Sequence, residues 1–348
     1  MDTIRYACIG CGSIASNYHL PALARIEAAD FVVACDLDEE RARETAEKFG
    51  ARELASDFQA VLRRDDIDLV CVFTKIDTHA EIAIAAANAG KHVFIQKPFA
   101  RTVAEGRAMV EAARVAGTRL IPAFMHHYFD ETLLAAKLVR EGAIGEIELI
   151  RQRNCTRNPR GTVASYGGAM MDIGAHGIDL VRAISGSEIT RVCARLDDCT
   201  GCMVSDDDVR ERRDLRGGEV NAFALYELAC GATVSHDVQW SMAAGAERFQ
   251  CEVYGTHGTI LLHVPRVWDS LVVHSTPDAD NPLREPVDWQ TPELPGRSLG
   301  TAHHEAVIQT LLGREETAQI AEDGLAVLRV CEAARHSAAS GCWAEVVG

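Results

Sequence analysis

Residues 4–15 read IRYACIGCGSIA, and this stretch decides the fold of the N-terminal part of the chain. The apolar run 4–9 predicts a buried strand, and the pattern G-x-G-x-x-A follows it directly. Gly10 permits a tight turn, Gly12 lets the backbone approach a pyrophosphate, and Ala15 keeps the next helix close to the sheet. The N-terminus of that helix then faces the phosphates. The stretch therefore predicts a dinucleotide-binding strand–turn–helix unit.

A second apolar run, residues 31–35, ends in Asp36, about twenty residues beyond the glycines. A carboxylate at this place accepts hydrogen bonds from the ribose hydroxyls of the cofactor. The next residues, Leu37 and Asp38, are not basic, so a 2′-phosphate would meet Asp36 with no arginine to receive it. NAD is therefore favoured over NADP, and the alternative is a Rossmann-like fold without a cofactor.

Strand and helix patterns continue to alternate through the first third of the chain. We predict strands at residues 69–73, 92–95 and 120–123, and helices at 77–89 and 102–116. This alternation predicts a parallel sheet covered by helices on both faces. Ligands of such sheets bind at the carboxyl ends of the strands. Thr74, Gln96 and Lys97 follow strands directly and are therefore candidate ligand contacts.

After Pro122 the pattern changes, and we predict two domains, 1–123 and 124–348. The predicted strands of the second domain are 146–154, 220–228, 233–240, 248–254, 259–264 and 267–274. Its predicted helices include 130–141, 302–312 and 321–337. Successive strands with short turns predict an antiparallel sheet. The fold class is therefore α/β, with an N-terminal Rossmann domain and a C-terminal α/β domain.

The strongest chemical signal of the second domain is Asp172 with His176, directly after the pair Gly167–Gly168. Residues i and i+4 share one face of a helix. Alternatively, the two residues are an ordinary pair on the surface of a helix. Together with Lys97, however, the pair supplies a lysine, a carboxylate and an imidazole for a polyol beside a nicotinamide. An imidazole is suited to take the proton of a hydroxyl near neutral pH.

Composition excludes several classes of partner. The net charge of −16 over 348 residues repels nucleic acid and anionic membrane surfaces. The N-terminus resembles no signal peptide, and no apolar run reaches the length of a membrane span. The 12 cysteines form no disulfide framework, which is typical of reduced thiols in a cytoplasm. The pairs Cys8/Cys11 and Cys199/Cys202 lack a second ligand pair, so we expect no metal.

Ordered motifs run along nearly the whole chain. They are residues 10–12, 89–93, 96–98, 142–146, 167–176, 253–259 and 322–325. In this order they resemble those of the Gfo/Idh/MocA oxidoreductases, the family of glucose–fructose oxidoreductase and inositol dehydrogenase. The resemblance implies a Rossmann domain followed by an α/β domain with a large open, mainly antiparallel sheet. It also implies a homodimer or homotetramer formed through that sheet.

The resemblance assigns roles to individual residues. Lys97 matches a lysine beside the nicotinamide and the reacting hydroxyl, His176 the general base, and Asp172 a ligand of the substrate hydroxyls. The expected cofactor contacts are Gly10, Gly12, Ser13, Ile14, Asp36, Leu37, Thr74, His79, Gln96 and Lys97. The expected substrate contacts are Lys97, Asp172, His176, Arg157, Tyr166, His127 and His304. Either His303 or His304 is expected to lie on a helix surface.

This sequence departs from the family pattern at three places. Gln96 replaces the usual glutamate, which removes a charge beside Lys97. Residues 74–76 read TKI where Thr-Pro-Asn is common, and residues 126–128 read HHY where Asn-Arg-Arg is common. The last difference removes an arginine that could bind an anionic substrate.

The predicted activity is that of an NAD(P)-dependent dehydrogenase that oxidises a secondary hydroxyl of a sugar, sugar derivative or cyclitol. Two alternatives from other classes remain. A glycosidase of this family would use a retained, non-consumed NAD and release no free NADH. A sugar-sensing regulator should lack part of the set Lys97, Asp172 and His176, which is complete here.

Overall fold

A computed structural model describes residues 2–156, 166–197, 219–240, 249–264, 271–275, 289–297 and 300–348. The chain divides into two compact units. The first comprises Met1–Tyr128 and Arg297–Leu328, and the second comprises Phe129–Gly296 and Arg329–Gly348. The predicted domain boundary at residue 123 places all later residues in the second domain, whereas Arg297–Leu328 return to the first unit. That return occurs because Val307 and Ile308 join the first unit's apolar core.

The first part of the chain alternates strands and helices. In order these are β1 (Ile4–Ile9), α1 (Leu20–Leu23), β2 (Ala29–Cys35), α2 (Glu39–Phe49), β3 (Glu53–Ala55), α3 (Phe58–Leu62), β4 (Leu69–Val72), α4 (Ile76–Asn88), β5 (His92–Gln96), α5 (Val103–Ala116) and β6 (Leu120–Ala123). A π-helical turn, Ala15–His19, leads directly into α1. A 3-10 turn, Met125–Tyr128, follows β6.

The remaining elements are mainly strands between helices. They are α6 (Asp130–Arg140), β7 (Ile147–Cys155), α7 (Ala175–Ser185), β8 (Ile189–Asp197), β9 (Asn221–Leu228), β10 (Thr233–Gln239), β11 (Phe249–Gly255), β12 (Gly258–Val264), β13 (Leu271–Ser275), α8 (Thr301–Leu311), α9 (Ala321–Ser340) and β14 (Ala344–Glu345). A second π-helical turn, Met170–Gly174, leads into α7.

The first unit is built on a six-stranded parallel sheet with the order β3-β2-β1-β4-β5-β6. Every residue of β4 is buried, as expected for a strand covered on both faces. From β1 the chain builds one half of the sheet through β2 and β3, and then returns to the other side at β4. The strand order therefore reverses between β1 and β4, and ligands bind at the carboxyl ends of strands at such a point.

The second unit contains an eight-stranded sheet with the order β13-β12-β11-β7-β10-β9-β8-β14. Within the described part of this sheet, only β7 and β10 pair in parallel, and the other pairs are antiparallel. Burial alternates along β9: Tyr226 is buried, whereas Phe223 and Leu225 are 42% and 44% exposed. Helix α7 packs against β7. The predicted fold class, a Rossmann domain followed by a mainly antiparallel α/β domain, is confirmed.

Candidate active site

The glycine loop after β1 is shaped for a cofactor. Gly10 has a φ of +91°, and a Cβ there would lie 2.8 Å from the carbonyl carbon and oxygen of Phe73. No other residue fits this turn without strain. A Cβ on Gly12, in contrast, would meet no atom within 4 Å. The space beside Gly12 is thus open, and the residues of the loop fit a bound dinucleotide.

Asp36 is held in place at the carboxyl end of β2. Its Oδ2 accepts a hydrogen bond from the Cys11 N–H at 2.8 Å, and its Oδ1 accepts one from the Asp38 N–H at 3.0 Å. Arg41 Nη1 also lies 3.4 Å from Oδ1. The expectation of no basic partner for this carboxylate is therefore wrong. Asp38 caps α2 by accepting from the Arg41 N–H, and this first turn brings the Arg41 side chain back toward β2.

The loops after β4 and β5 are joined by His79. Its Nδ1 lies 2.9 Å from the carbonyl oxygen of Pro98, and its Nε2 lies 3.2 Å from that of Thr74. The side chain is 1% exposed, and burial lowers its pKa although both carbonyls favour the charged form. His79 thus fixes the two loops that carry Thr74 and Lys97. A neutral ring has one N–H and so donates to one of these two carbonyls, and the contact of His79 with the cofactor stays a prediction.

Gln96 is directed at the peptide of its neighbour rather than at the neighbour's ammonium group. The Lys97 N–H donates to Gln96 Oε1 at 2.6 Å. Gln96 Nε2 lies 2.9 Å from Nε2 of His19, which is fully buried. Lys97 itself is half-buried. Sequence reasoning missed His19, although it follows Ala15 by one helical turn.

Two of the histidines proposed for the substrate region are parts of the core. His303 and His304 are both 0% exposed. His304 uses Nδ1 toward the Gly300 carbonyl and Nε2 toward His19, so the expected substrate contact of His304 is wrong. The expected helix-surface position of one of the pair is also wrong, because α8 packs against the first unit with both rings inward. His127 is half-buried, with its ring 4.9 Å from that of Tyr128.

In the second unit, Asp172 and His176 lie on one continuous helical segment. Asp172 stands in the π-helical turn Met170–Gly174, and His176 stands in the first turn of α7. The two side chains are 3% and 4% exposed. The His176 ring meets that of Phe249 edge-on, with centroids 5.9 Å apart. A π-helical turn widens the helix locally and is frequent at functional sites.

The start of this helical segment is anchored by Glu219. The Ala169 N–H donates to the Glu219 carbonyl oxygen at 2.9 Å, and the Met170 N–H donates to Glu219 Oε1 at 2.8 Å. These bonds satisfy N–H groups that have no partner within a helix. Burial raises the pKa of Glu219, although the Met170 N–H favours the carboxylate. Arg335 Nη2 donates to the preceding Gly167 carbonyl at 2.5 Å.

A polar network lies beneath α7. His236 Nε2 is 2.6 Å from Asn154 Oδ1, and His236 Nδ1 is 2.8 Å from Tyr226 Oη. Because Asn154 Oδ1 can only accept, His236 carries its proton on Nε2, and the Tyr226 hydroxyl donates to Nδ1. Burial lowers the pKa of His236 to about 3. A Cβ on Gly177 would collide with Asn154 and His236, so this glycine lets the network support the helix next to His176.

The remaining predicted substrate residues are Tyr166 and Arg157. Tyr166 is 43% exposed, and its ring lies 5.7 Å from that of Trp240. Arg157 lies outside the described residues. The structure groups Gly10, Gly12, Asp36 and Lys97 in the first unit, and Asp172 with His176 in the second.

Within the described ranges, no cluster of three or more histidine, cysteine or acidic side chains is arranged to hold a metal ion. In the same part of the chain, no helix combines the length and apolar character needed to cross a membrane.

Comparison with protein families gives two matches that follow one another along the chain. Residues 4–124 match the model of the oxidoreductase family with an NAD-binding Rossmann fold. Residues 132–261 match the GFO/IDH/MocA C-terminal domain. The first unit is therefore an NAD-binding Rossmann domain, and the protein is an oxidoreductase.

Individual proteins agree with these matches. The chain is 33% identical over 271 residues to inositol 2-dehydrogenase 3 of Saccharopolyspora erythraea, an alignment that covers 76% of this chain and 74% of the relative. The structure of an oxidoreductase domain protein from Kribbella flavida matches with a TM-score of 0.86 and 27% identity over 100% of both chains. A levoglucosan dehydrogenase in complex with NADH matches with a TM-score of 0.83 and 25% identity over 99% of both chains.

Proposed function

The chain belongs to the Gfo/Idh/MocA oxidoreductase family, and we propose that it is an NAD-dependent dehydrogenase acting on one secondary hydroxyl of a sugar, sugar derivative or cyclitol. The observation that carries the proposal is the placement of Asp172 and His176. Both are buried on one helical segment whose start is anchored by Glu219. Such anchoring pre-organises a carboxylate and an imidazole for a polar substrate.

NAD would be held by the open glycine loop and by Asp36. Gly12 leaves room for the pyrophosphate, and Ser13 and Ile14 begin the helix whose N-terminus faces it. Asp36 would accept hydrogen bonds from the ribose hydroxyls, and Leu37, 92% exposed, lies next to it. When bound, NAD supplies the hydride acceptor of the reaction.

The residues of this chain then handle the proton and the charge. His176 accepts the proton of the reacting hydroxyl during oxidation and returns it during reduction. Lys97 stabilises the negative charge that develops on the hydroxyl oxygen. Asp172 accepts hydrogen bonds from neighbouring hydroxyls of the substrate, which fixes the carbon that reacts.

Three further residues are our candidates for contacts with the substrate. Polyols need several hydrogen-bonding side chains, and Tyr166, Arg157 and His127 are our candidates for the specificity residues. The relatives named inositol 2-dehydrogenase and levoglucosan dehydrogenase support a neutral cyclic polyol. His127 stands where an arginine is common in the family, which disfavours an anionic substrate.

We further propose that the outer face of the eight-stranded sheet forms a homodimer or homotetramer. Phe223 and Leu225 are the described apolar side chains of β9 that point away from the buried face. Exposed apolar groups on a sheet face gain free energy when a second copy covers them.

A substrate panel tests the activity. Purified protein with NAD is offered myo-inositol, scyllo-inositol, levoglucosan, pentoses, hexoses and their lactones, and NADH absorbance is followed. The expected result is NADH formation with at least one neutral polyol, and formation slower by roughly 10²-fold or more with Lys97→Met. If the purified protein retains its cofactor and cleaves a glycoside without net formation of NADH, the glycosidase alternative would be established instead. Sugar binding without turnover by any substrate would establish the regulator.

A further inference from the structure

Four buried groups of the first unit form a continuous hydrogen-bonded chain that ends at the peptide of Lys97. Its distances are 2.6 Å from the Gly300 oxygen to His304 Nδ1, 2.9 Å from His304 Nε2 to His19 Nδ1, 2.9 Å from His19 Nε2 to Gln96 Nε2, and 2.6 Å from Gln96 Oε1 to the Lys97 nitrogen. Each of the four links needs one donor and one acceptor. The direction of every link is therefore tied to the direction of the next.

The Gly300 carbonyl fixes that direction. A carbonyl oxygen only accepts, so His304 must carry its proton on Nδ1. A neutral imidazole has one N–H, which leaves His304 Nε2 as an acceptor and makes His19 Nδ1 the donor. His19 Nε2 is then an acceptor, and Gln96 must present its NH₂ group to it. The amide oxygen of Gln96 is thereby turned toward the Lys97 N–H.

The surroundings keep both rings neutral. His19 and His304 are 0% exposed, and the His19 ring stacks on that of Phe73 with centroids 3.9 Å apart. Burial lowers the pKa of His304 to about 4 and that of His19 well below its ordinary value. Two titratable groups face them. The ring centroid of His303 lies 5.2 Å from that of His304, and the ring centroid of Tyr18 lies 4.9 Å from that of His19. Protonated His303 would disfavour a charge on His19 further.

We propose that Gln96, His19 and His304 are positioning residues, which hold the Lys97 peptide through a one-directional chain of neutral hydrogen bonds. The direction of this chain requires an amide at position 96, because a carboxylate has no N–H to offer His19. The consequence for turnover rests on the proposed role of Lys97, whereas the direction of the chain does not.

A carboxylate at position 96 would change the protonation of the pair. His19 Nε2 would have to donate to it, while His19 Nδ1 still faces the bare Nε2 of His304. His304 cannot move its proton from Nδ1 without losing the bond to Gly300. Either one of the two rings must then take up a proton and become an imidazolium, or the carboxyl must keep its own proton and donate it to His19 Nε2. Gln96 therefore keeps a buried proton out of the region beneath Lys97.

Histidine-selective ¹⁵N NMR of the substrate-free protein reads these states directly. In the wild type we expect Nδ1–H tautomers for His19 and His304, unchanged across about pH 5 to 8. Gln96→Glu should carry one extra buried proton at neutral pH, seen as one imidazolium or, by ¹³C NMR, as a protonated carboxyl at position 96. The double variant Gln96→Glu/His304→Phe removes the acceptor for His19 Nδ1, so His19 should become a neutral Nε2–H tautomer. An Nε2–H tautomer of His19 in the wild type would overturn the proposal, and so would a Gln96→Glu variant with neither a new imidazolium nor a protonated carboxyl at position 96.

Kinetics then separates positioning from a merely structural role. The kcat of Gln96→Glu should fall about tenfold as the pH rises through the pKa at which this extra proton is lost, because the chain then loses a donor. The Kd for NAD should stay within about threefold of the wild type. Gln96→Met, which adds no charge, should show a low kcat without this pH dependence. Superimposable pH profiles of the wild type and Gln96→Glu would contradict the positioning role.

These readouts also separate this proposal from the proposed function. If no panel substrate is turned over by the wild type, the dehydrogenase proposal fails, while the tautomers of His19 and His304 are still measured. If turnover is normal but the tautomers are reversed, only the chain proposal fails.

Discussion

Glu219 and Met170 are joined by a 2.8 Å hydrogen bond from the Met170 N–H to the Glu219 carboxylate, at the first turn of the helical segment that carries Asp172. The carboxylate also lies where a Cβ on Gly168 would collide with it, so the glycine at position 168 leaves room for Glu219. A side chain far away in sequence thus sets where this helix begins. The position of Asp172, two residues beyond Met170, follows from that start.

We expect Glu219→Ala to lower the free energy of unfolding by about 1 kcal/mol, as loss of a helix cap does. The kcat should fall as well, since the first turn loosens around Asp172. Glu219→Gln keeps an acceptor oxygen and serves as the control.

The folded-state pKa of Glu219 is raised above 4.5, so ionisation costs stability as pH rises through that pKa. The free energy of unfolding of Glu219→Gln relative to the wild type, measured with urea, should therefore rise above pH 4.5. A difference in free energy that does not change with pH would contradict this.

Local pattern was sufficient for most of the fold. Strands β1, β4 and β6 are apolar runs buried in a parallel sheet, so composition alone identifies them. Helix α2 and strand β8 were not predicted. Of the eleven residues of α2 only Ala42 and Thr45 are buried, and β8 lacks a regular alternation of burial. Neither has the periodic apolar pattern on which sequence prediction depends.

The errors at the site have a different cause. His304 contacts His19, which is 285 residues away in the sequence. Arg41 lies in the first turn of α2, which Asp38 caps, and its side chain reaches back to Asp36. Such contacts depend on where the chain returns, which no local pattern encodes. A histidine pair at the start of a helix therefore suggests a surface, although tertiary packing buries both rings. The anchoring of Met170 by Glu219 leaves no local signal for the same reason.

The two glycines of the loop after β1 should respond differently to alanine. Gly12→Ala meets no atom within 4 Å, so its free energy of unfolding should stay within about 0.5 kcal/mol of the wild type. Its Kd for NAD should rise about tenfold or more, because the methyl group occupies the space of the pyrophosphate. Gly10→Ala should instead lose more than about 1 kcal/mol of stability, through its positive φ and the Phe73 carbonyl. Calorimetric titration and urea unfolding test both, and unchanged NAD binding by Gly12→Ala would place the cofactor elsewhere.

Cofactor preference should depend on Asp36 and Arg41 together. The wild type should prefer NAD, because Asp36 repels a 2′-phosphate and pairs with Arg41. Asp36→Ala releases Arg41, and we expect the ratio of kcat/KM for NADP to that for NAD to rise about 10²-fold. The double variant Asp36→Ala/Arg41→Ala should lose most of that gain. A wild-type preference for NADP, measured with one working substrate, would contradict the assignment of Asp36.

The oligomer should depend on the outer face of β9. We expect a dimer or tetramer by light scattering, and dissociation when Phe223→Lys and Leu225→Lys are combined, because two buried ammonium groups oppose association. Val115→Lys alters an apolar side chain of α5 that is 72% exposed, and it should leave the mass unchanged. A monomeric wild type, or a double variant of unchanged mass, would exclude this face as the interface.

The assignment of Lys97 and His176 to the chemical step predicts loss of turnover without loss of cofactor binding. Lys97→Met and His176→Ala should each lower kcat by roughly 10²-fold or more, because one removes the stabilising charge and the other the proton acceptor. The Kd for NAD should stay within about threefold, as neither change touches the glycine loop. Lys137→Met and His336→Ala, at exposed positions of the same residue types, are the matched controls and should leave kcat unchanged. If His176→Ala keeps near-normal kcat at all pH values, another group takes the proton, and the buried imidazole next to Phe249 serves only the packing of α7.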